Sequence, residues 1–146
     1  MKVPILFAAT LLLSPVHAEE AAPAAPVSAF AAAREKAQGN VCVNNAKQLT
    51  VGLMAWLLDN DDKFPATLEA LKEGHLVELE KVTICPFDPN RQPGGYEFLL
   101  AGKTLSKIPE PATTPMLRAK FTSSDGRRTV AFADGHVERV KDAAKK

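Results

Sequence analysis

The chain has almost no excess charge: its 146 residues carry 18 Lys or Arg against 17 Asp or Glu. Long-range attraction to nucleic acid or anionic lipid needs a clustered positive field, so nucleic-acid binding is not expected. Cysteine is scarce as well. The two cysteines, Cys42 and Cys85, do not form the C-x-x-C spacing that activates one thiol of a redox pair. The sequence has no nucleophile elbow, no phosphate-cradling glycine loop, no H-E-x-x-H zinc site and no internal repeat. Its amino-terminal apolar run, Val3 to Leu13, reaches only about 16 Å as a helix against a hydrocarbon core of ~30 Å. A retained membrane span is therefore not expected there.

What that run does resemble is a secretory signal. Met1-Lys2 gives a positive end, the apolar stretch follows, and Ser14 to Ala18 closes it with small residues before Glu19. This order predicts a signal peptide over residues 1–18, cleaved after Ala18, and a periplasmic or secreted product. The cleaved segment holds one lysine and no acid, so the exported chain is formally neutral. Residues 19–39 read as an Ala/Pro-rich linker and helix start, since Pro23 to Pro26 cannot bury enough to order itself. Ser28 is placed to cap a helix beginning near Ala29 that meets no breaker until Gly39.

From Asn40 the periodicity sharpens. Cys42, Ala46, Leu49, Leu53 and Trp56 fall on one helical stripe, and Val51 to Leu58 is apolar nearly all round. That excess predicts cover on several sides or a docking surface formed by Met54, Trp56 and Leu57. Gly52 inside this helix suggests a close approach by another backbone. Asp59 to Lys63 followed by Phe64-Pro65 ends the helix. Thr67 is placed to cap a short second helix, Leu68 to Glu73, with Gly74 after its end.

The remainder reads as strands: Val82 to Cys85, Tyr96 to Leu100, Met116 to Phe121, and a hairpin of Thr129–Ala133 and His136–Val140 around Asp134-Gly135. Asp-Gly favours a two-residue turn with two positive φ values, which would set Phe132 opposite Val137 and Val130 opposite Arg139. Helices first and strands afterwards argue for an α+β fold. The expected architecture is one long N-terminal α-helix packed on a small antiparallel β-sheet, with a short second helix and a C-terminal β-hairpin, the domain occupying residues 40–146.

Three constellations have the residue types for chemistry. In an exported chain Cys42 and Cys85 are candidates for a disulfide stapling the long helix to the first strand, with two separate buried thiols as the alternative. Asp59, Asp61 and Asp62, completed by Asp88 or Asp134, offer the hard oxygens that calcium needs, but they lack the order of an EF-hand, and a solvated helix end accounts for the same run. His136 with Asp134, or with Ser123, Ser124 and Asp125, supplies hydrolytic residue types with nothing to enforce the geometry. The alternative is a hairpin motif of Asp134, Gly135 and His136 held by packing.

Four segments together resemble a family: Cys42-x-Asn44-Asn45-x-Lys47-Gln48-Leu49, Asp59-Asn60-Asp61-Asp62-Lys63-Phe64-Pro65, Cys85-Pro86-x-Asp88-Pro89 and Ala131-Phe132-Ala133-Asp134-Gly135-His136-Val137-Glu138. They are similar to the pseudopilin-like proteins of planctomycetes and verrucomicrobia, which in turn are similar to the major pseudopilin of type II secretion. The resemblance implies a long helix on a small antiparallel sheet, a non-enzymatic role, envelope or secretion-system partners, no cofactor other than calcium in some relatives, and assembly into a filament. The prepilin leader and its Gly-Phe-Thr-Leu-x-Glu junction are missing here, so the expectation is a head detached from the apolar stalk.

Overall fold

A computed structural model describes residues 27–74 and 76–142. The signal peptide, the Pro23 to Pro26 stretch and His75 lie outside the described residues.

Helix α1, Val27–Asp59, spans roughly 50 Å at 1.5 Å per residue. It passes through Gly39 without a break, so the expected boundary between linker and domain falls inside one helix. Cys42, Ala46, Leu49, Leu53 and Leu57 form its buried stripe, with steps of four, three, four and four. The stripe ends on Leu57, which is buried, where the sequence reading put Trp56, which is only partly so; a helix of 3.6 residues per turn drifts around its axis against a fixed repeat of four and three. Before Gly39 most side chains of α1 are exposed. From Glu35 onward the helix meets the body of the protein, beginning with Ser124 and Pro86.

The acidic run after α1 is a backbone turn. Asn60 Nδ2 donates to the Trp56 carbonyl at 2.8 Å and the Asp62 amide to Leu57 O at 3.1 Å, satisfying the open end of the helix. Asp61 and Asp62 both adopt left-handed backbone, with φ of 51° and 58°, which Asp tolerates better than most residues. The chain thereby reverses and delivers Phe64 to the core, where its ring meets Phe98 edge-on at 6.1 Å.

Two single helical turns follow: α2, Ala70–Glu73, which buries Leu71, and α3, Leu79–Val82, which buries Leu79 and Val82. Thr67 is not the cap of α2. Glu69 occupies that position without a side-chain cap bond, and Gly74 beyond its end has a φ of −79° that any residue adopts.

Four strands, β1 Tyr96–Phe98, β2 Pro115–Ala119, β3 Arg127–Phe132 and β4 Val137–Lys141, form one antiparallel sheet in sequential order. Its core packs against α1, which gives the α+β architecture expected from the sequence. The expected strand Val82 to Cys85 is absent. Its carbonyls are taken elsewhere, Thr83 O by the Gly95 amide at 2.7 Å and Ile84 O by Asn45 Nδ2 at 3.0 Å, and the carbonyl of the following Pro86 is held by Gln38 Nε2 at 3.3 Å. Tertiary partners override the β-propensity of these residues.

The C-terminal hairpin forms, in a register one residue away from the expected one. Phe132 N–H donates to His136 O at 2.9 Å and Gly135 N–H to Phe132 O at 2.9 Å, enclosing the three-residue loop Ala133–Gly135. Only Gly135 has positive φ, at 96°, the pattern of a turn closed by a glycine bulge rather than of a two-residue turn. Ala131 therefore pairs with Val137, Val130 with Glu138 and Thr129 with Arg139. A slip of one residue exchanges cross-strand partners between faces, and here it sets Arg139, which lies against α1 at Gly39, beside Thr129 in place of Val130.

Candidate functional site: the Cys42–Cys85 junction

Gln38, Cys42 and Asn45 follow one another by four and three residues, so helical geometry stacks them on a single stripe of α1. All three meet the segment Ile84-Cys85-Pro86. The two amides hold the carbonyls on either side of Cys85, and the Cys42 and Cys85 sulfurs stand 3.8 Å apart between them. Both cysteines are buried and both are free thiols. The expected proximity is present, but the expected staple is not closed: 3.8 Å is van der Waals contact, and a disulfide requires about 2.05 Å.

The segment approaches so closely because Gly95 has no side chain. A Cβ there would lie 2.6 Å from Cys85 Cβ and 2.8 Å from Cys85 N. Next to Gly95, Tyr96 donates its hydroxyl proton to Cys42 O at 2.8 Å, and the same hydroxyl sits 3.2 Å from Cys42 Sγ. The hydroxyl of Thr129 is buried on β3 and turned toward Cys42.

Arg139 closes the site from β4. Its guanidinium contacts the Ser123 hydroxyl, stands 3.7 Å from Asp125 Oδ1 and lies 5.7 Å from the centre of the Phe87 ring. The electrostatics follow from these neighbours. The Cys85 thiol holds the Cys42 thiol well below its ordinary value, to about 6, against the effect of burial and with support from Thr129, Tyr96 and the Arg139 charge. The same shared proton, with burial, pushes Cys85 up, and burial pushes the Tyr96 hydroxyl up. Chemically the junction can retain a thiolate at Cys42 and a protonated thiol at Cys85.

The other candidate residues fall elsewhere. Asp59, Asp61 and Asp62 are exposed in the turn already described, while Asp88 is buried and accepts the amides of Asn90 at 2.9 Å and Gln92 at 3.1 Å. Among the described residues, no three His, Cys, Asp or Glu side chains gather where they could hold a metal ion. His136 forms a local unit with Asp134, Nδ1 to Oδ1 at 2.6 Å, and its ring stacks on Phe132 at 4.3 Å. Ser123 instead contacts Asp125, and Ser124 donates its amide and hydroxyl to Glu35 at 2.6 Å each, so these serines are not joined to His136.

Of the suggested docking residues, Leu57 is 3% exposed and belongs to the core, with Met54 and Trp56 packed partly against it. The outward apolar residues of α1 are Phe30, Val41, Val51 and Leu58. Gly52 is approached by side chains, with Val77 Cγ1 2.7 Å from where a Cβ would be, rather than by the backbone that the sequence suggested.

Sequence reasoning missed Gln38, Tyr96, Thr129 and Arg139 as members of the junction. One signal was available, the Gly94-Gly95 pair before the sole tyrosine. The hairpin register that brings in Arg139 had no such mark. Among the described residues no helix is long and apolar enough to cross a membrane. The chain matches no family model, no curated protein and no solved structure.

Proposed function

We propose that this chain is a non-enzymatic, exported module resembling the head of a pseudopilin, which acts by docking on a type II secretion or pilus-like assembly of the cell envelope. The observation that supports this best is the form of α1. Its second half lies on the antiparallel sheet as the resemblance implies, and its outer side carries large apolar residues left exposed among the described residues. Val51 and Leu58, at 68% and 86% exposure, are seven residues apart and so share one face; Phe30, 68% exposed, sits near the start of the helix. Exposed apolar residues grouped on one element mark interaction surfaces more often than isolated ones do.

Signal-peptide cleavage after Ala18 places the product in the periplasm or outside the cell in this reading, with a formally neutral surface that has no use for nucleic acid. Calcium binding through the acidic turn and hydrolysis through His136 are the competing readings. Among the described residues no three carboxylates gather for calcium, and the serines near His136 bond elsewhere.

The test expresses the full chain with a carboxyl-terminal tag in a host carrying a type II secretion system and fractionates the cells. A photo-crosslinking residue replaces Leu58 in one sample and Glu138, on the opposite side of the fold, in another. The expected result is a processed, soluble envelope protein that crosslinks to a pseudopilin or assembly component from position 58 and not from 138. An uncleaved product embedded in the inner membrane, or equal crosslinking from both positions, overturns the proposal.

A further inference from the structure

The geometry points to a second role for the Cys42–Cys85 junction: we infer that the pair is a reversible redox latch, closed by exchange with an external disulfide, that fastens the Ile84–Gly94 connection to α1. The inference does not depend on the docking proposal. It stands on three observations. The two sulfurs already touch, at 3.8 Å, so closing the bond requires a small shift of one loop and no rearrangement of the sheet. Among the described residues, the loop that carries Cys85 is held to the helix by side-chain hydrogen bonds from Gln38 and Asn45 and by the contact of the two thiols themselves, and its tip from Pro89 to Gly94 is exposed. The surroundings of Cys42, with Tyr96, Thr129 and Arg139 around its sulfur, favour a thiolate there over one at Cys85.

The closed state forms in two balanced steps. Opening of the exposed tip admits the oxidant, a small or protein-borne disulfide R–S–S–R. The Cys42 thiolate attacks one sulfur, forming Cys42–S–S–R and expelling R–S⁻. Cys85 then loses its proton to the solvent or to the expelled thiolate and attacks the Cys42 sulfur. The Cys42–Cys85 bond forms, the mixed disulfide breaks and the second R–S⁻ departs. In total the two thiols are oxidised to one disulfide, and the external disulfide is reduced to two R–SH. An excess of dithiol reverses both steps.

Arg91 reports the state of the latch. It is exposed and is the sole Lys or Arg between Lys81 and Lys103, so trypsin cleaves the connection at that point. The folded, reduced protein is incubated with glutathione disulfide, alkylated and weighed intact, and a second portion is digested briefly with trypsin. The expected results are the loss of both alkylatable thiols within a monomer, a linked pair of tryptic peptides 37–47 and 82–91 after full digestion, and native cleavage at Arg91 slowed at least about tenfold, equivalent to ~1.4 kcal/mol of local opening. Dithiothreitol restores the original rate.

In Cys85→Ala the expected product is glutathione held on Cys42, whereas Cys42→Ala remains unmodified. The proposal is overturned if the folded chain keeps both thiols under conditions that join them in guanidinium, if the bond links two chains, or if cleavage at Arg91 is indifferent to oxidation. A mixed disulfide that forms on Cys85 in Cys42→Ala and not on Cys42 in Cys85→Ala overturns the order of attack.

Discussion

Arg139 of β4 lays its guanidinium across the backbone of α1 at Gly39, so that a Cβ on Gly39 would lie 2.6 Å from Arg139 Nη1 and 2.9 Å from its Cζ. A mid-helix glycine costs ~1 kcal/mol relative to alanine, and here the missing methyl group is the space the arginine occupies. Ser123, Asp125 and Phe87 hold the guanidinium in place, so it does not yield freely.

Gly39→Ala is therefore expected to leave stability unchanged or lower it, the gain in helix propensity being offset by displacement of Arg139. In an Arg139→Ala background the same substitution should stabilise by about 0.5–1 kcal/mol. Urea denaturation of the four proteins in the cycle measures the coupling, and additive effects would show that the contact has no energetic consequence.

Gly95→Ala should be more damaging, because the added Cβ meets backbone that cannot rotate away: Cys85 N at 2.8 Å and Thr83 O at 2.9 Å. Overpacking of this kind costs ~1–3 kcal/mol. The junction should loosen with it, so alkylation of Cys85 in the folded protein should be faster than in the parent chain.

Two adjacent leucines separate core from surface. Leu57→Ala removes a side chain 3% exposed and should cost ~2–5 kcal/mol. Leu58→Ala, at 86% exposure, should stay within about 0.5 kcal/mol of the parent while weakening the crosslink to an envelope partner from a photo-crosslinking residue placed at Val51, on the same face. Thermal melting and the crosslinking yield together check both halves.

Stability of the reduced chain should depend on pH in both directions. With Cys42 lowered from 9.0 to about 6, the unfolded chain holds a proton between these values that the folded chain has lost, so stability rises with pH across that window. Above 9.0 the raised Cys85 and Tyr96 keep protons that the unfolded chain loses, and stability falls. Urea melts from pH 6 to 10 measure the curve, and Cys42→Ser should flatten its rising limb. Ultraviolet titration of thiolate should find the first ionisation of the pair displaced upward in Cys85→Ala.

By itself the sequence determined the long helix, its buried stripe from Cys42 to Leu53, the end of that helix at Asp59 to Pro65 and the existence of the last hairpin. Each of these is a local property: a repeat of 3.6, a run of turn-forming Asx residues, a glycine that accepts positive φ. Tertiary structure decided the rest. Gly95 and Asn45 claimed carbonyls of the expected strand Val82 to Cys85, the drift of the helix ended the stripe on Leu57 in place of Trp56, and a three-residue loop shifted the hairpin by one. That shift set Arg139 opposite Thr129, on the side of α1. The composition of the junction was illegible beforehand because Cys42, Cys85, Tyr96 and Arg139 are joined only when the helix, the connection and the sheet pack together, and the choice among competing hydrogen-bond partners is made by that packing.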